Sequence, residues 1–141
     1  MSVLSIAMSG MAAATAKLNV SAQNVANSQS YGALPDAPPP ASPTAAPAPR
    51  PYQPQQLLQF SVADSQGAGV ATRVEPRQGE AQKAYDPTAS FADAQGLVAA
   101  PDIDQATEVV DQMQALQSFK ANMKVFKAGD EMMAVALNLK A

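Results

Sequence analysis

Few side chains in this sequence could do chemistry. The 141 residues contain no histidine and no cysteine, which removes disulfides, thiolate and imidazole metal ligands, the cysteine nucleophile and the usual general base near neutral pH. Carboxylates and lysines are left. Asp102 and Asp104 flank Ile103, and such a pair could hold a cation or work as acid and base. At the head of a long proline-free stretch, however, helix capping is the simpler role. Asp86 stands beside Tyr85 with no partner group in the sequence. Tyr85-Asp86-Pro87 reads as a turn that aims the chain at a following helix, with the tyrosine ring packed on it. Lys120, Lys124 and Lys127 recur at helical spacing near Asp111, Asp130 and Glu131, the pattern of a solvated helix face. An enzyme would need a pocket where ionisable groups converge, and no such constellation is visible along the chain. No cofactor and no metal are expected.

Composition narrows the class further. Apolar residues make up 47% of the chain, but much of this is alanine, aromatics are 5% and tryptophan is absent. That suits close helix packing better than a bulky globular interior, and the length allows one modest core. Charged residues are only 15% and the net charge is −3, with the nine basic residues dispersed, so nucleic acid is not an expected partner. The segment from Met1 to Gly10 lacks a basic region and a continuous apolar run, and Lys17 is the first basic residue. No run reaches the roughly eighteen apolar residues that a membrane span needs. The chain is therefore expected not to span a membrane, and any export would need a route without a cleaved signal.

The elements that must carry these residues lie mainly at the two ends. From Ser2 to about Asn27 there is no proline and the only glycine is Gly10, which predicts one long helix with Ser2 as N-cap. Leu4, Met8, Met11, Thr15, Leu18, Ala22 and Val25 step by fours and threes, a heptad seam. Asn24 and Asn27 are expected to bond backbone groups where the helix ends, because asparagine tolerates the left-handed conformation found there. Nine of the twelve prolines fall between Pro35 and Pro54, a linker or a docking motif for a proline-binding module. Leu58, Phe60 and Val62 alternate before Ser65 to Gly69, then Val70, Thr72 and Val74, which predicts a hairpin leaning on a helix or on another subunit. Pro76 to Ala100 reads as an extended connector. From Asp102 onward a second helix of about 38 residues, some 57 Å long, should carry the seam Leu116, Phe119, Met123, Phe126, Met133 and Leu137, interrupted by Asp130. Acids at its start and Lys140 at its end complement the helix dipole, and Gly129 is a weak point permitting a bend.

The fold class is thus mainly α. Long N- and C-terminal helices (1–30 and 101–141) form a coiled-coil-like pair, with a proline-rich linker (31–55) and a β-hairpin and connector (56–100) between them. Two helices alone bury only part of their surface, so their seams seek further partners. Met113, Met123, Met132 and Met133 suit either plain helix core or an adaptable contact surface.

Three blocks carry a family resemblance. Ser9-Gly10-Met11 followed by Leu18-Asn19-Val20-Ser21-Ala22-Gln23-Asn24-Val25-Ala26-Asn27 is similar to the N-terminal signature of the flagellar rod and hook proteins. Tyr85-Asp86-Pro87, Phe91 to Val98 and Pro101 to Asp104 resemble the proximal-rod branch of that family, and Val110 to Leu139 resembles its C-terminal helix. Ser28-Gln29-Ser30-Tyr31-Gly32 departs from the family's threonine-x-glycine-tyrosine turn, and Ala33 to Arg77 has no residue-by-residue match. The resemblance implies a structural, non-enzymatic subunit of the periplasm-spanning rod that transmits torque from motor to hook. It implies as partners copies of itself, other rod proteins of the FlgB, FlgF, FlgG and FliE types, and the flagellar type III export apparatus. The expected subunit contacts are Leu4, Met8, Met11, Leu18, Asn19, Ala22, Gln23, Asn24, Val25 and Asn27 on the first helix and Tyr85 and Asp86 in the middle. On the second helix they are Leu116, Phe119, Asn122, Met123, Phe126, Met133 and Leu137. A distal-rod or hook-type protein and a helical adaptor with a proline-rich arm are the rival readings.

Overall fold

The computed structural model describes residues 3–35, 48–64 and 67–139. Two helices dominate it, α1 over Val3–Ala26 and α2 over Gln105–Asn138. Between them lie β1 (Gln55–Asp64), β2 (Gly67–Pro76), β3 (Gln82–Tyr85) and β4 (Leu97–Ala100), which form two separate two-stranded antiparallel sheets, β1-β2 and β3-β4. The expected plan of terminal helices around a hairpin is present. Four expectations lie outside the described residues: the Ser2 cap, the turn at 65–66, the 36–47 part of the proline-rich stretch and the placement of Lys140.

The helices run antiparallel, since Leu4 lies against Gly129 at one end and Asn24 bonds Glu108 at the other. The α1 positions turned to α2, by burial, bonding or close approach, are 7, 10, 14, 17, 21 and 24, and those of α2 are Glu108, Asp111, Ala115, Asn122 and Gly129; Ala13 and Val20 of α1 are buried as well, toward the hairpin. Both expected seams are therefore advanced by one residue, a turn of about 100° around the helix. The reason is size. Weighting the largest apolar side chains picks out the stripe beside the contact, whereas alanine, glycine and serine at the contact let the two backbones approach closely. Gly129 marks such a close approach: a Cβ there would stand 3.0 Å from Leu4 Cδ2.

Asp104 caps α2, its carboxylate accepting from the Ala106 amide at 3.0 Å and the Thr107 hydroxyl at 2.7 Å. Those two donors, the hydroxyl foremost, hold the Asp104 carboxyl below the usual carboxylate range. Asp102, its neighbour in sequence, accepts from Gln82 Nε2.

The connector expected over 76–100 is corrected by the second sheet. Val98 and Ala99 of β4 are fully buried, and Ala99 exchanges two backbone hydrogen bonds with Gly32, at 2.9 and 2.8 Å. Gly32 is required there because a Cβ would collide with the Pro51 backbone nitrogen and its neighbours. The returning proline stretch runs beside it, with the Tyr52 amide donating to the Ser30 carbonyl. Local sequence shows only short polar and apolar pieces here, and the burial comes from the segment folded over them.

The β1-β2 hairpin leans on α1, as expected. Ser9 Oγ accepts from the Val70 amide at 3.1 Å, and Gly69 passes so close that a Cβ would lie 2.7 Å from that hydroxyl. Ala13 and Val20, one and three turns further along, are buried on the same side.

Candidate assembly surface and the polar node beneath it

Where α1, α2 and the hairpin meet, the chain buries a carboxylate. Glu108, in the first turn of α2, is 1% exposed, and Asn24, in the last turn of α1, is 0% exposed. Asn24 Nδ2 donates to Glu108 Oε1 at 2.9 Å and to the Gln55 carbonyl at 2.9 Å. Asn24 Oδ1 accepts from the Gln55 amide at 2.9 Å and the Tyr52 hydroxyl at 3.2 Å. Arg77, just past β2, donates Nη2 to Glu108 Oε1 at 3.0 Å, and Ser21 Oγ donates to the Glu108 carbonyl at 2.9 Å. Burial first, and then the Glu108 carboxylate, push the Tyr52 phenol above its usual value. Among the described residues no buried side-chain nitrogen or oxygen lacks a partner. The node thus satisfies a charge that would otherwise be costly to bury.

The expectation for Asn24 is corrected by this geometry. It bonds β1 and α2, not the end of its own helix, and no described non-glycine residue has a positive φ. Asn27 does bond its own helix, donating to the Gln23 carbonyl at 2.8 Å. Glu108 and Arg77 were not candidates from sequence. With Asp102 and Asp104 just before it, Glu108 at a helix start reads as dipole compensation, and only the packing of three elements encloses it.

Around the node and along the helix pair, large apolar side chains face outward. Met8 is 58% exposed, and Leu18 on the same stripe of α1 is exposed too, as are Leu116, Met133 and Leu137 on α2. Asn19, Ala22 and Gln23 are exposed, while Met11, Val25, Phe119, Asn122, Met123 and Phe126 are half-buried at the margins of the helix contact. Leu4 is half-buried against Gly129. Exposed large apolar residues outside the expected set also occur on other faces of the two helices, such as Ile6, Val109, Met113, Val125, Met132 and Val135. Because Leu4 faces Gly129, α2 runs on past the start of α1, and residues 130–139 are all exposed.

Tyr85 and Asp86 stand apart from this surface. Tyr85 is 72% exposed and covers Gly96 of its own hairpin, which corrects the expected packing on the second helix. Asp86 makes the turn, accepting from the Thr88 hydroxyl and amide, and these hold its carboxyl below the usual range. Gly96 closes that loop at φ 76°, a conformation that favours glycine.

Two further features belong to the middle and to α1. A cavity of about 540 Å³ opens between the proline stretch and the 77–81 loop, walled by Pro49, Pro51, Tyr52, Pro54, Arg77 and Pro101. By length and composition α1 is apolar enough to cross a membrane, with a mean hydropathy of 1.3 in its best window, which corrects the expectation that no segment would be. Small residues supply much of that apolarity, and the helix is tied to its neighbours by the Lys17–Asp111 ion pair at 3.0 Å and by Asn24.

Comparison with known proteins agrees on one family. Residues 94–139 match the family described as flagellar basal body rod FlgEFG protein C-terminal. The chain is 33% identical to the flagellar basal-body rod protein FlgC of Salmonella typhimurium, over 99% of this chain and 96% of that protein. It is 32% identical to FlgC of Escherichia coli over the same shares. To FlgC of Agrobacterium fabrum it is 26% identical, over 95% of this chain and 90% of that protein.

Proposed function

Since the chain belongs to the flagellar basal-body rod protein family, of the FlgC type, and is a structural subunit of that rod and not an enzyme, we propose that it assembles through the stripes left open on α1 and α2. The single observation that supports this is the number of large apolar side chains facing outward from an already paired helix couple. An apolar stripe of that extent on both helices marks an interaction surface. Coiled-coil-like packing of these helices against those of neighbouring subunits would cover Met8, Leu18, Leu116 and Met133. Asn19, Gln23, Asn122 and Lys124 would set register between subunits.

Contacts of this kind repeat head to tail and generate a filament with no closed point group, which suits a torque-bearing shaft. Copies of the chain and other rod proteins are the partners in this reading. Rod location agrees with the names of the relatives; a periplasmic position, and delivery through the flagellar type III export apparatus without a cleaved signal, extend the reading one step further. In it α1 is a packing helix and not a membrane span.

The test replaces Met8→Asp together with Leu116→Asp in a flagellated strain deleted for its own copy. The expected result is a chain that is expressed and helical as a monomer but gives no rod and no motility. Normal motility with these charges in place would refute the assembly surface.

A further inference from the structure

The register in which α1 and α2 pair does not follow from their small-residue seams. Both seams repeat every seven residues, so sliding α1 by one repeat toward the end of α2 brings Gly10 opposite Gly129 and Asn24 opposite Ala115. It also brings Ala7 opposite Met132. None of these pairings sets two large side chains against each other. The slide would draw residues 130–136, exposed in the observed register, under α1, and would return the buried Glu108 to water. Apolar burial and carboxylate solvation both favour it. The observed register does the opposite, burying a carboxylate and leaving an apolar end bare.

We propose that Asn24 and Glu108, clamped by Gln55 and Arg77, determine the register of the two helices and so hold the last turns of α2 unpaired. Asn24 is suited to this because all its polar atoms are engaged at once, two on the β1 backbone and one of them also on α2. Only one register offers Glu108 to that amide while Arg77 reaches the same oxygen. The other links between the helices discriminate weakly: Ser21 bonds the Glu108 main-chain carbonyl, a group that every position of α2 carries, and Lys17 reaches Asp111 and Gln114 as a partly exposed long side chain. A single buried polar contact that specifies register against a degenerate seam is a known device of paired helices.

The chain has no cysteine, so introduced pairs report register without background. Gly10→Cys with Asn122→Cys reads the observed register, in which position 10 meets the Asn122 side chain. Gly10→Cys with Gly129→Cys reads the slid one, because positions 122 and 129 lie about 10 Å apart along α2, beyond the reach of one disulfide; since an added Cβ at 10 crowds Asn122 and one at 129 crowds Leu4 in the observed register, its yield is compared between backgrounds that carry the same two cysteines. In the otherwise unchanged full-length chain, oxidation should give the 10–122 product and not the 10–129 product. Adding Asn24→Leu and Glu108→Leu should raise the 10–129 product by about tenfold as the population shifts. An unchanged, exclusive 10–122 product in that background would overturn the proposal. If the leucine chain loses its helical circular dichroism, Asn24→Asp takes its place, setting a carboxylate against Glu108 at nearly constant size. The same shift is expected, and an exclusive 10–122 product again counts against the proposal. Glu108→Gln keeps an acceptor for Asn24 and should keep the 10–122 product; sliding in this conservative variant would overturn the role given to Asn24.

Discussion

Asn24 uses both amide protons and its carbonyl oxygen inside the protein, on three different segments of chain. Truncating it leaves the Gln55 backbone groups and Glu108 without those partners, and each buried group so stranded costs about 1–3 kcal/mol. Asn24→Ala should therefore lower the urea midpoint of the isolated chain with little change in slope, the sign of lost stability without a change in the surface exposed. Asp104 works differently because it is exposed. Its carboxyl is held below the unfolded value by the Thr107 hydroxyl and the Ala106 amide, so its contribution is fully present above an unfolded pKa of about 3.9. That contribution is lost as pH falls through the folded value. Asp104→Ala should lower the melting temperature at neutral pH, with the gap to the parent chain closing at acid pH. Asp104→Asn should keep the cap and lose that part of the acid dependence.

At the scale of elements, the middle of the chain is held by backbone contacts that tolerate no added atoms. Gly32→Ala would place a Cβ into the Pro49–Pro51 backbone, which cannot swing aside as a side chain can. The bridge to Ala99 should weaken, at a cost of about 1–3 kcal/mol, read from thermal unfolding of the isolated chain. The hairpin depends on a lighter tether. Ser9→Ala removes the acceptor of the Val70 amide, and hydrogen exchange at Val70 should quicken while exchange in the middle of α1 stays as it was. The contrast follows from position: β4 is enclosed, whereas β1 and β2 expose Phe60, Val62 and Val74. Over Phe60 the Arg73 guanidinium lies 6.0 Å from the ring centroid, a partial cover on that face.

The whole molecule is two helices of unequal length joined by a polar node. α2 has 34 residues and α1 has 24, so at the usual rise α2 is about 15 Å longer. The difference is exposed at the end remote from the node, where Leu137 is 71% exposed. In the isolated chain the amides of 130–138 should exchange faster than those of 110–125, since no other described element packs on those turns. Incorporation into a rod should slow them. Equal protection before and after assembly would show that these turns take no part in it.

Read from sequence, the two long helices, the hairpin and the Asp104 cap were legible because each is fixed by local rules: proline placement, alternation, and an acid at a helix start. The family was legible too, from short blocks at the ends and after β3. The identity of the helix faces was not. A heptad pattern rich in alanine admits two neighbouring seams, and only close backbone approach at Gly10 and Gly129 selects the small-residue one. Burial of Glu108, and the pairing of β4 with Gly32, depend on segments far apart in the chain meeting in space. Sequence determined which elements form and which side chains are large and apolar. Tertiary structure decided which of those side chains stay outside, because the gain from enclosing a polar node and a close helix contact is set by three elements at once and is carried by no single stretch of chain.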